Sequence, residues 1–192
     1  MMNVPFRNRG KITMENTKKS TAILSEEHRH ILKVIDRLIK ECDGLRAGNE
    51  INKSFFEEAI DFIRNYADKF HHAKEEDILF VELCKDTVEM HCNPTSQMLH
   101  EHDLGRGFVK ELEEGVKSND KEKVIEGALG YAQLLQEHIF KEDNILYPMA
   151  DQALSEDIQQ VMLDEFARVE KEKFGEEIIK KYLDFAEELE KK

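Results

Sequence analysis

Two stretches decide how this chain reads. His71-His72-Ala73-Lys74-Glu75-Glu76-Asp77-Ile78-Leu79-Phe80 aligns without a gap with His138-Ile139-Phe140-Lys141-Glu142-Asp143-Asn144-Ile145-Leu146-Tyr147, 67 residues further on. The first His, the Lys, the Glu, the Ile and the Leu are identical, and Glu/Asp and Phe/Tyr are conservative exchanges. In a helix, residues four apart share a face. His71 with Glu75, and His138 with Glu142, therefore each aim an imidazole and a carboxylate at one place. The alignment selects His71 over His72 and Glu75 over Glu76 as the inward pair.

Working outward, both stretches lie on longer helical seams. Phe56, Ile60, Ile63, Ala67, His71, Glu75 and Ile78 recur at helical spacing over a second helix of about 53–85. Val124, Ala128, Tyr131, Leu135, His138, Glu142 and Ile145 do so over a fourth helix of about 121–146, which Pro148 is expected to close. A first helix, about 20–43, carries Leu24, His28, Ile31, Ile35, Leu38 and Cys42, and Gly44 and Gly48 end it. Past the Asn93-Pro94 break, a third helix of about 96–116 carries Leu99, His102, Val109, Leu112 and Val116. Ser118-Asn119-Asp120 supplies a loop and a helix cap, and Ser155 supplies a further cap. Four amphipathic helices with short connections predict an all-α, antiparallel up-down four-helix bundle over 20–150. Residues 1–19 read as a flexible lead-in. Residues 151–192 read as a C-terminal extension of one or two helices, broken at Gly175 if two.

Composition agrees. The 192 residues include only 3 Pro and 9 Gly, too few breakers for an all-β fold. Charged residues make up 36% and the net charge is −13, which disfavours nucleic acid and anionic membrane surfaces as partners. No run of 18 apolar residues occurs. Residues 1–19 are basic but lack the apolar core of a secretory signal. Cys42, Cys84 and Cys92 form no CxxC pair and read as reduced thiols of a cytoplasmic protein.

Each of the four seams carries one histidine: His28, His71, His102 and His138. A single histidine on an apolar face is ordinarily a hydrogen-bonded core residue. Four of them facing one core with two buried carboxylates need a cation. Imidazole and carboxylate without thiolate suit iron, with manganese or zinc as substitutes. Six protein ligands exceed a closed tetrahedral zinc site. They suit two metals about 3.5–4 Å apart, each held by two histidines and both bridged by Glu75 and Glu142. That arrangement leaves coordination positions open for a small molecule.

These residues resemble the hemerythrin-like (HHE cation-binding) family over about 24–150. The marks are Glu27-His28-Arg29, the two echoed stretches, Met98-Leu99-His100-Glu101-His102-Asp103-Leu104-Gly105-Arg106, and Pro148 after Tyr147. The resemblance implies an up-down bundle around an oxo- or hydroxo-bridged non-haem di-iron centre, with His28, His71, Glu75, His102, His138 and Glu142 as ligands. Oxygen-carrying hemerythrins place two ligand histidines four apart on the third helix. Here Met98 and Arg106 flank His102 at that spacing. The four-His, two-Glu set is similar instead to the hemerythrin-like domain of iron–sulfur-cluster repair proteins. Ferritin-type bundles need two Glu-x-x-His motifs, and only Glu27-x-x-His30 occurs.

The expected function is binding or sensing of O2, NO or peroxide, or iron handling. The alternative is a di-iron enzyme of nitrosative or oxidative stress defence. His72 and His100 are expected beside the ligands rather than among them, Arg106 in a salt bridge, and Tyr131 in the core. Glu76, Glu101, Asp103 and Asp143 compete as partners for the histidines' second nitrogens. The chain is expected as a monomer, or as a homodimer through 155–192.

Overall fold

The computed structural model describes residues 19–90 and 92–191. The expected lead-in, apart from Lys19, lies outside them. Among the described residues the fold is six helices without strands. Helix α1 is Ser20–Arg46. Helix α2 runs over 53–83 and joins Lys53–Phe62, Ile63–His72, Glu75–Leu79 and Phe80–Leu83. Helix α3 is Thr95–Ser118. Helix α4 runs over 121–153 and joins Lys121–Lys141, Glu142–Leu146 and Tyr147–Ala153. Helix α5 joins Glu156–Val169 and Glu170–Phe174, and α6 is Glu176–Leu189.

Helices α1 to α4 form the bundle, each antiparallel to its neighbours. Thr21 meets Asp151 while His28 meets Asp143, so α1 and α4 run in opposite directions. Arg64 meets Glu113 while Asp68 meets Arg106, which fixes α2 against α3. Glu114 meets Lys123 while Glu101 meets His138, which fixes α3 against α4. The bundle core is the predicted seam: Leu24, Ile31, Ile35, Leu38, Phe56, Ala67, Leu112, Val124 and Ala128 are all buried.

The helix signals act as residue chemistry requires. The Asn52, Asp120 and Ser155 side chains each accept the backbone N–H three residues on, capping α2, α4 and α5. Asn119 ends α3 in the left-handed conformation, with φ 57°. Gly175, with φ 76°, separates α5 from α6 as its breaker role predicted.

Three sequence expectations need correction. The first concerns Pro148, which does not close the fourth helix. It sits in the first turn of Tyr147–Ala153, directly after a π-helical turn at Glu142–Leu146. Its φ already suits a helix, and the widened turn before it accommodates the missing N–H.

The second concerns Ile78 and Ile145, expected on the seams. Ile145 is exposed and Ile78 half-buried, whereas Leu79 and Leu146 are buried. Both lie in π-helical turns that begin at Glu75 and Glu142. Each π turn holds one extra residue, so the inward face arrives one position later. The third concerns Leu99 on α3. It is 40% exposed, and Met98 takes the buried place.

Helices α5 and α6 pack on the bundle as an added layer. Phe166, Met162, Tyr182, Ala186 and Leu189 are buried there. The Gln159 side chain accepts from both the N–H and the hydroxyl of Ser20 at the start of α1, at 3.0 and 2.6 Å. This is satisfaction of an orphan helix-terminal donor.

Helices α3 and α4 approach closely because a glycine on each lets the other's backbone come near. A Cβ on Gly127 would stand 2.6 Å from the Leu112 backbone nitrogen, and one on Gly115 would stand 2.7 Å from that of Val124. Neither neighbour is a side chain that can swing aside. Gly127→Ala is therefore expected to lower the unfolding free energy by about 1–3 kcal/mol, despite alanine's better helix propensity. Urea denaturation of the two proteins checks this. An unchanged or raised midpoint would mean that the helices separate without cost.

Candidate metal centre

The structure brings His28, His71, Glu75, His102, His138 and Glu142 together. All six are buried to 2% exposure or less. They come one or two from each bundle helix: His28 from α1, His71 and Glu75 from α2, His102 from α3, His138 and Glu142 from α4. His28, His71, Glu75 and Glu142 can bring one donor atom each within 4.8 Å of one another. So can His72, Glu75, His102 and His138, and Glu75 belongs to both groups.

Every one of the four imidazoles has its Nδ1 against a carboxylate. His28 meets Asp143 at 3.0 Å and His71 meets Glu27 at 2.9 Å. His102 meets Glu76 at 2.7 Å and His138 meets Glu101 at 2.8 Å. A proton on Nδ1 satisfies these contacts, and the Nε2 lone pair is then free to coordinate. The Nε2 atoms all face the centre. His28 Nε2 lies 3.3 Å and His138 Nε2 lies 3.1 Å from Glu142. His71 Nε2 and His102 Nε2 lie 3.6 and 3.5 Å from Glu75 Oε2. His102 Nε2 and His138 Nε2 face each other across 3.0 Å.

The carboxylates behind the histidines follow the same internal repeat. Glu27 precedes His28 on α1 and holds His71, while Glu101 precedes His102 on α3 and holds His138. Glu76 and Asp143 follow the two central glutamates and hold the histidine of the facing odd-numbered helix. The echoed lysines close the pattern: Lys74 donates to Glu27, and Lys141 donates to Glu101. Of the four acids that competed in the sequence, Glu76, Glu101 and Asp143 take this role. Asp103 instead pairs with Arg106.

Arg106 forms the expected salt bridge, in fact three, to Asp68, Glu76 and Asp103. His100 is exposed, as a site neighbour. His72 is buried, and its ring stacks on His102 with centroids 3.8 Å apart and planes at 10°. The lone pairs of two parallel stacked rings do not converge in their own planes on one ion. Proximity places His72 in the second group, but this stacking speaks for a supporting position.

Two contributors were not picked out from the sequence. Tyr147, on α4, donates its hydroxyl to Glu75 Oε1 at 2.5 Å and stacks on His28 at 5.5 Å. Its echo partner, Phe80, stacks on His102 at 6.0 Å and carries no hydroxyl. The Phe/Tyr difference between the two echoed stretches was the available signal. The second is Glu27, visible only as the residue before His28.

Electrostatics set the two central carboxylates apart. Burial and the neighbouring Glu142 push the Glu75 carboxyl well above the usual carboxylate range. Burial also opposes ionisation of Glu142, but His138 and His28 outweigh it and hold Glu142 well below that range. Burial pushes the His28 imidazole down, yet Asp143 and Glu142 outweigh this and bring it to about 9. Glu75 Oε2 and both Glu142 carboxylate oxygens are buried without an aligned hydrogen-bond partner. Such atoms require an explanation, and a cation among converging Nε2 and carboxylate donors supplies one.

The donor set therefore fits divalent or trivalent ions bound by nitrogen and oxygen. A helical bundle whose four helices each turn an imidazole towards shared carboxylates defines a class, the helical metal-binding bundles. The sequence model of the hemerythrin HHE cation-binding domain matches residues 19–150, and the chain belongs to that family. No curated protein and no solved structure gives a significant match to the chain. No helix among the described residues is long and apolar enough to cross a membrane.

The carboxylates behind the four histidines give a prediction of their own. Asp143→Asn keeps the side-chain shape but removes the charge that orients His28. Loss of such a partner typically costs about 10–100-fold in metal affinity. Competitive chelation is expected to show a weakening in that range, and an unchanged affinity would mean that Asp143 does not orient the ring.

Proposed function

We propose that the chain holds two iron ions between His28, His71, Glu75, His102, His138 and Glu142, and uses them to bind or sense a small oxidant or diatomic molecule. Candidates are O2, NO and peroxide. One observation carries this reading: three carboxylate oxygens lie buried and without an aligned partner, facing four imidazoles whose other nitrogens are already engaged. His28 and His71 form one end of the site and His102 and His138 the other, with Glu75 and Glu142 between them. Manganese or zinc fits the same donors.

Bound iron would supply open coordination positions and one-electron redox changes. The rest belongs to the chain. Glu27, Glu76, Glu101 and Asp143 fix the four rings and keep their protons on Nδ1. The Tyr147 hydroxyl holds Glu75 Oε1 and leaves Oε2 directed at His71 and His102. The bundle core above and below excludes bulk water. Arg106, locked to Glu76, steadies the carboxylate that orients His102.

The test is metal content on protein purified anaerobically from iron-supplemented cells, followed by mixing of the reduced protein with NO or peroxide. The expected results are about two irons per chain and a stable adduct. Repeated consumption of NO or peroxide with added reductant would establish an enzyme of stress defence instead. Absence of any metal would overturn the reading. Helices α5 and α6 offer a route to a homodimer, which sedimentation of the full chain measures. A cytoplasmic location follows from the reading of three thiols without a CxxC pair.

A further inference from the structure

A cavity of about 470 Å³ opens between α2, α3 and α4 and ends against His72 and His102. A diatomic ligand needs far less, since one water molecule takes about 30 Å³ in the liquid. The volume falls instead within the range of about 300–1,000 Å³ typical of small-molecule sites.

Its walls are apolar where Ile63, Val109 and Leu135 line it. Two buried polar groups face it without a hydrogen-bond partner: the Tyr131 hydroxyl, on a residue 2% exposed, and His72 Nδ1. The His72 atom lies 3.5 Å from Asp68 Oδ1, close but not aligned. Leaving a buried polar group unsatisfied is costly, so the Tyr131 hydroxyl and the His72 Nδ1 each have capacity for a polar partner. Burial, with the charge of Asp68 nearby, pushes the Tyr131 phenol up, so it remains a donor at neutral pH.

The charges around the cavity favour an anion. Lys69 and Lys110 line it, and neither forms a salt bridge among the described residues. The cavity's two acids are already committed. Asp68 is held by Arg106, and Glu101 by Lys141 and His138. The Lys110 ammonium, with that of Lys69, which donates only to the neutral Asn65 side chain, makes a local attraction for negative ligands on a chain of net charge −13.

We propose that this cavity binds a small carboxylate with an apolar body, its head group at Tyr131 and His72 and its body against Ile63, Val109 and Leu135. The Tyr131 hydroxyl donates to one carboxylate oxygen and His72, in its Nδ1–H tautomer, to the other, and the lysines attract the anion from solvent. The proposed contacts are residues other than the six proposed ligands, of which His102 alone also lines the cavity, and the proposal goes beyond the metal reading.

Calorimetric titration with benzoate tests it, with benzyl alcohol as the uncharged counterpart. The wild-type protein is expected to bind one benzoate per chain, and the alcohol at least tenfold more weakly. Tyr131→Phe removes one hydrogen bond to a charged group and is expected to weaken benzoate about tenfold or more. Gly105→Leu places bulk in the cavity, where a Cβ meets the Tyr131 ring at 3.6 Å, and is expected to abolish binding. Circular dichroism of both variants confirms the fold. No benzoate binding by the wild type, equal binding of the alcohol, or affinities unchanged in both folded variants would each overturn the proposal. Iron measured on the same samples separates the two readings. Iron without benzoate binding sinks only the cavity site, and benzoate binding without iron sinks only the metal reading.

Discussion

Glu142→Ala is expected to reduce bound metal from about two ions per chain to a trace, while the bundle still folds. Glu142, like Glu75, reaches both ends of the site, and it does so with separate oxygens, 3.3 Å from His28 and 3.1 Å from His138. In the proposed two-ion site its loss would remove a donor from each ion at once. A residue behind the ligands costs about 10–100-fold in affinity, and a shared ligand must cost more than one of those. Folding is expected to survive because both Glu142 oxygens lack aligned partners. Their removal strands no donor that Glu142 alone satisfied. His28 keeps Asp143 and His138 keeps Glu101. Elemental analysis and circular dichroism of the purified variant measure the two halves separately. Full metal loading in the variant would place the ions elsewhere, and an unfolded variant would show Glu142 to be structural.

The fold was legible because helix signals and seams largely agree over the described residues of the bundle. Breakers stand at Gly48, Asn93-Pro94, Asn119 and Gly175, whereas Gly44, expected to help end the first helix, lies inside it, and the apolar positions between the breakers repeat at helical spacing. The convergence of His28, His71, Glu75, His102, His138 and Glu142 was legible for the same reason, since each lies on a seam. What failed was register beyond the glutamates. The π turns at Glu75 and Glu142 shift the buried residue from Ile78 to Leu79 and from Ile145 to Leu146, and no local pattern marks a π turn. The acids behind the histidines were ambiguous because they sit on facing helices. Which of Glu76 and Asp103 reaches His102 depends on the rotation of α2 against α3, which spacing within one helix does not encode. Lys74 was read only as a repeated letter, yet it is the most telling charge in the core.

That charge carries the second large prediction. Lys74 is completely buried. Its ammonium donates to Glu27 at 2.5 Å and to Glu170 at 2.7 Å, and lies 3.6 Å from the centre of the Phe70 ring. It therefore ties three elements together: α1 through Glu27, α2 on which it sits, and α5 through Glu170. Removing one partner of a buried ion pair typically costs about 3–5 kcal/mol, because the other charge is left uncompensated. Lys74→Met fills similar volume without charge and is expected to destabilise the metal-free protein by about that amount.

The cost should depend on pH, and its sign follows from Glu27. Burial raises the Glu27 carboxyl above its ordinary 4.5, while Lys74 opposes that rise. Without Lys74 the opposition goes and the value climbs further. A carboxyl whose folded pKa exceeds its unfolded one binds more protons when folded, so stability falls as pH rises through that interval. The variant is therefore expected to lose most at pH 8 and to recover part of the loss as pH falls towards 4.5, as the folded Glu27 carboxyl takes up its proton. Urea midpoints of wild type and variant at pH 5 and pH 8 measure both effects. A loss below about 1 kcal/mol at pH 8 would mean that Glu27 finds water or another cation, and that Lys74 does not hold α5 to the bundle.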